Sequence, residues 1–222
     1  MTMIASFTVF LAVVPAVLQA SEPAAQEGLK PAHTHVRHVA SAINGTPGGV
    51  GLLEALRIEA DIALQHAGLA AGDVTDLESM KRHVRHVRHA IDASTEENGP
   101  GKGFGVKRAA DGVATHIRLA AKSDGSSENI ERHSVHVATS AENVSRWCDA
   151  ILAASEQVLA AETAEAAAAP AQRIAELARI ILEGTDADGD GQVSWQQNEG
   201  GIAQARQHLS ILLEAEGIPE TP

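Results

Sequence analysis

Tyrosine is absent from this 222-residue chain, and Cys148 is its only cysteine. One cysteine excludes a disulfide within the chain and any paired-cysteine metal or haem motif. Aromatics make up 2% of the residues, and past residue 20 only Phe104, Trp147 and Trp195 remain. A core with so few rings must be filled by small aliphatic side chains, which suits closely packed, alanine-rich helices. No alternating apolar–polar run marks a strand. Also missing are H-E-x-x-H, G-x-S-x-G and a P-loop, so the chain is expected to be a binding protein and not an enzyme. Cys148 lies in an apolar helical stripe, which suits a buried small hydrophobe better than a nucleophile.

Basic residues are scarce, 17 against 29 acidic ones, for a net charge of −12. That balance disfavours nucleic acid and anionic membranes, and it is compatible with cations. The excess is concentrated in residues 122–222, where 17 acidic side chains face 6 basic ones. Eight of the 11 histidines lie before that half. The long apolar runs of membrane proteins are also missing. The one candidate, residues 4–18 (IASFTVFLAVVPAVL), is too short for a comfortable span. Followed by Gln19-Ala20-Ser21, it resembles the apolar region of a signal peptide, although no Lys or Arg precedes it. Residues 1–20 are therefore expected to be removed after Ala20, and the mature protein to be periplasmic or secreted.

What the chain does have is a repeat. His35-Val36-Arg37-His38-Val39 returns as His83-Val84-Arg85-His86-Val87, and His133-Ser134-Val135-His136-Val137 begins a partial third copy. Each of the first two copies runs through a Gly/Pro turn into a second helical segment, and those segments end alike at His66–Ala71 and His116–Ala121. Val84, Val87 and Ile91 recur at helical spacing, with Leu77 and Met80 extending the stripe. Thr75 with Glu78 reads as a capping box starting this helix. The glycine-rich turns follow no strand and read as flexible connections. The expected fold is all-α, a helical bundle of repeated His-bearing hairpins over residues 29–169, with a C-terminal helix–loop–helix over 170–217.

Histidines three apart on a helix are neighbours, so each pair can face one ion. At 100° per residue the first of each pair lies about 60–80° from the centre of the apolar stripe. A neighbouring helix could complete the site there, and His66 and His116 are the candidates. Glu59 falls inside the apolar stripe of its helix and wants a partner, either a metal or His66. The candidate transition-metal ligands are thus His35, His38, Glu59, His66, His83, His86, His116, His133 and His136. The His-bearing helices loosely resemble small periplasmic metal-binding proteins built as histidine-rich four-helix bundles, which implies copper, nickel, zinc or cobalt. The competing expectation is interfacial or pH-responsive histidines, since Arg37, Arg82, Arg85 and Arg88 would repel a cation.

Residues 186–197 read DADGDGQVSWQQ. Asp186, Asp188 and Asp190 fall where hard oxygen ligands converge at loop positions 1, 3 and 5, with Gly191 at the sharp turn. This stretch resembles an EF-hand loop, which implies Ca²⁺ held also by the Gln192 carbonyl, Ser194 and Gln197. Gln197 stands where that family carries a bidentate Glu, so weak binding is expected, and Glu199 lies two residues too far along to replace it. The expected function is an exported metal-binding protein for storage or buffering, with calcium at 186–197 and Cu²⁺, Ni²⁺ or Zn²⁺ at the histidines. The alternative is a structural or interaction bundle in which calcium only stabilises the fold.

Overall fold

The computed structural model describes residues 30–220, and the expected signal peptide at 1–20 lies outside them. The described residues form seven α-helices and no strand: α1 (Pro31–Ala40), α2 (Leu52–Gly72), α3 (Leu77–Ile91), α4 (Val106–Lys122), α5 (Glu128–Ala160), α6 (Ala164–Glu183) and α7 (Ile202–Glu216). The all-α bundle read from the sequence is the fold.

Local chemistry sets the helix starts. Ser127 and Thr163 cap α5 and α6, each accepting from the amide three residues on. Helix α3 starts one residue later than the Thr75 capping box implied. Asp73 accepts both the amide and the hydroxyl of Thr75, which ties up that side chain, and the Asp76 carboxylate takes the Ser79 amide at 2.9 Å. Pro170, read from the sequence as a boundary, lies inside α6. Helix α7 begins only at Ile202, behind Gly200 and Gly201.

Packing departs from the hairpins of the repeat. Helix α1 lies chiefly along α4, and α2 along α3, so helices from different repeat copies are partnered. The redirection comes where the chain turns at Pro47–Gly49 and Gly51 presses on the end of α1. A Cβ at Gly51 would sit 2.6 Å from the Ala40 backbone. The 33-residue α5 is the spine, touching α3, α4, α6 and α7. Ile174 and Leu177 of α6 and Leu209 and Leu212 of α7 belong to the same core as Val36, Val84, Ile117 and Val144. The segment 170–217 therefore shares the bundle's core.

One charged side chain sits wholly inside that core. Glu59 is fully buried, and its carboxylate accepts amide hydrogens from Lys102 (3.0 Å), Phe104 (2.9 Å) and Gly105 (3.2 Å). The glycine-rich turn at 99–105 is thus folded around an anion supplied by the protein itself. Glu59 stands apart from the histidine clusters, which corrects its expected role as a metal ligand or a partner of His66. Three convergent amides satisfy a buried carboxylate without either.

Candidate metal centres

The sequence puts each histidine next to a buried anchor. Val36 and Val39 follow His35 and His38, and Val84 and Val87 follow His83 and His86. Ser134 and Val137 follow His133 and His136, and all six of these neighbours are buried. A residue one step from a core position lies about 100° round the helix. Each histidine therefore stands half-buried at the rim of a helix–helix contact. His66, His116 and His208 do the same on facing helices, ahead of buried Ala67, Ile117 and Leu209.

Three triads result: His35, His38 and His116 between α1 and α4; His66, His83 and His86 between α2 and α3; His133, His136 and His208 between α5 and α7. In every one the Nδ1 atoms converge. His116 Nδ1 is 3.1 Å from that of His35 and 3.3 Å from that of His38. His66 stands 3.1 Å from His83 and 3.3 Å from His86, and His208 stands 3.2 Å from His133 and 3.3 Å from His136. Ring placement repeats as well. The rings of each i,i+3 pair are near-perpendicular, with centroids 5.9, 5.7 and 5.5 Å apart in the three centres. Nδ1 is the ring nitrogen nearer the backbone, so such contacts require helices at close quarters. Small core residues such as Ala63, Ala67 and Ala70 on α2 permit that approach.

This arrangement suits a cation better than protons. A neutral imidazole carries one N–H and one lone pair. The lone histidine of each triad meets two Nδ1 atoms with its own single Nδ1, so one hydrogen bond satisfies one contact and leaves the other poorly matched. A metal ion accepts all three lone pairs together. With bonds of about 2.0–2.1 Å and tetrahedral angles, ligand nitrogens lie roughly 3.3–3.4 Å apart, close to the distances between each lone histidine and its two partners.

Burial lowers the pKa of His38, His66, His83, His86, His116, His133 and His136, and the charge of neighbouring histidines or of Arg82 and Arg132 adds to it. His208 is pushed down to about 4, by burial first and then by His136 and His133. Near neutral pH these rings are unprotonated, the form that ligates. Cys148 is buried and belongs to no centre, and burial drives its thiol pKa strongly up.

His208 is the triad member that sequence reasoning missed. A signal was present, because His66, His116 and His208 are each followed three residues on by an exposed aliphatic, Leu69, Leu119 and Ile211.

At the acidic loop, carboxylate oxygens of Asp186, Asp188 and Asp190 lie within 4.8 Å of one another, all exposed. Asp186 accepts the amides of Gly189 (2.7 Å) and Gly191 (2.9 Å), and Gly191 has φ +87°, the left-handed turn expected there. Gln197 is exposed. Glu199 instead folds back, accepting the Ser194 amide at 3.0 Å and its hydroxyl at 2.5 Å. Those hydrogen bonds, with one from the Asp188 backbone, lower its pKa. Glu199, counted out by its distance along the chain, reaches Ser194 of the loop but is not one of the carboxylates clustered with the three aspartates.

No family model, curated protein or solved structure matches the chain. Among the described residues no helix is long and apolar enough to cross a membrane.

Proposed function

We propose that this chain is a metal-binding protein that carries three transition-metal ions, one in each histidine triad, for storage or buffering. The observation that carries this reading is the threefold recurrence of one Nδ1 geometry on three different helix pairs. Core packing alone would not give nine histidines the same placement. Three nitrogen donors suit Zn²⁺, Cu²⁺ or Ni²⁺ and leave a fourth position to an outside ligand. An open, half-exposed position suits an ion that is taken up and released. Export, from the signal-like residues 1–20, would put this function in the periplasm or outside the cell. Binding without catalysis fits the inaccessible thiol of Cys148.

Titration of purified protein with Zn²⁺ against a chromophoric chelator tests the proposal. Three equivalents should bind, and the melting temperature should rise. Each site at a hundredfold excess over its dissociation constant adds about 2.7 kcal/mol. Failure to bind Zn²⁺ by a folded chain whose structure still responds to pH would favour the pH-responsive alternative.

A second reading, calcium at the acidic loop, is favoured by the clustering of Asp186, Asp188 and Asp190, with Glu199 hydrogen-bonded to Ser194 of the same loop. Asp186, Asp188 and Asp190 would supply oxygens at one side, with Glu199 as the acidic group that Gln197 is not. Trp195 lies inside this loop, so its fluorescence is the natural probe for a calcium titration.

A further inference from the structure

The third triad differs from the other two in one respect. Trp195 stacks on His136, with ring centroids 4.1 Å apart and planes 20° from parallel. Among the described residues, His35, His38, His66, His83, His86 and His116 make ring contacts only with other histidines of their own triads.

Trp195 is held where it is by the face of α5 that carries His136. One turn on, Gly200 packs so close to Ser140 that a Cβ would fall 2.5 Å from its hydroxyl. A turn further, buried Asn143 donates to the carbonyls of Gln196 (2.8 Å) and Gly200 (2.9 Å) and accepts the Asn198 amide at 2.8 Å. His136, Ser140 and Asn143 thus form one i, i+4, i+7 row beneath residues 195–200. Helix α7 leaves that segment at Ile202 and carries His208, so the same segment orders both a ring in the triad and the helix that completes it.

We propose that Trp195 is a positioning residue of the third centre, fixing the ring of His136 so that this centre alone has an affinity set by the 185–200 segment. The inference rests on the triads being metal sites. A metal-ligating imidazole held by an outer neighbour keeps its orientation when the ion leaves, and loss of such a neighbour costs roughly tenfold or more in affinity. Any change that loosens the segment should act on the third centre and leave the first two as they are.

The test uses the full chain in two backgrounds. In the first, His66→Ala and His116→Ala leave only the third centre; in the second, His208→Ala leaves only the first two. Zn²⁺ affinity is measured by chelator competition, with circular dichroism as the check on folding. Trp195→Ala should weaken Zn²⁺ about tenfold in the first background. Trp195→Phe, which retains a stacking ring, should restore most of the loss. In the second background Trp195→Ala should change nothing. Equal affinity with and without the indole in the first background would overturn the inference while leaving the triads as metal sites. A loss shared by both backgrounds would make Trp195 a general stabiliser, which also overturns it. Absence of Zn²⁺ binding in both backgrounds would remove the metal reading itself.

Discussion

His66 and His116 each complete a pair that lies in the other copy of the sequence repeat. The pairs were legible because i,i+3 neighbours are fixed by one helix, whatever surrounds it. Their partners depend on which helix lies opposite, and that is decided by the turn at Pro47–Gly49 and the close approach at Gly51. His116→Ala should therefore remove one of three Zn²⁺ equivalents and leave the other two affinities within about twofold, because well-separated sites act independently. Glu59 was misread for the opposite reason. A carboxylate in an apolar stripe demands a partner, but periodicity says nothing of the three amides that a glycine-rich turn can aim at it. Glu59→Ala should cost about 3–5 kcal/mol in chemical denaturation, by stranding buried donors, with no change in metal stoichiometry. A lost equivalent of Zn²⁺ would put Glu59 back among the ligands.

At the scale of elements, α3, α4 and much of α5 could be drawn from apolar periodicity, since their buried stripes recur at helical spacing. The acidic loop was half legible. Its aspartates and Gly191 stand at the expected spacing, whereas Glu199 reaches the loop through a turn that includes Asn198 at φ +70°. Counting loop positions cannot anticipate such a turn. If Glu199 serves calcium, Glu199→Gln should weaken the Trp195-reported titration about tenfold or more by removing one ligand charge. Gln197→Glu, at an exposed position, should then have the smaller effect. A strong gain from Gln197→Glu beside an inert Glu199→Gln would restore the position read from the sequence.

Across the whole molecule, the all-α class followed from composition and period, while the single core shared by α6 and α7 needed tertiary information. The histidines also give the metal-free protein a pH dependence of definite sign. Eight triad histidines have pKa values lowered from 6.5, His208 to about 4, so the unfolded chain takes up these protons first. Stability should be full above about pH 6.5 and fall as the pH drops toward 4. Urea midpoints of metal-free protein at pH 7.5 and pH 5 would check this, and equal midpoints would contradict it. The same depression would let the rings hold a metal in stronger acid than free imidazole does.

The most direct test of the central claim is a count of Zn²⁺ bound per chain at neutral pH, by competition titration followed by elemental analysis of the desalted protein. The triads predict three equivalents, falling to two when His208, outside the sequence repeat, is changed to alanine. No bound Zn²⁺, or a count indifferent to His208, would contradict the account.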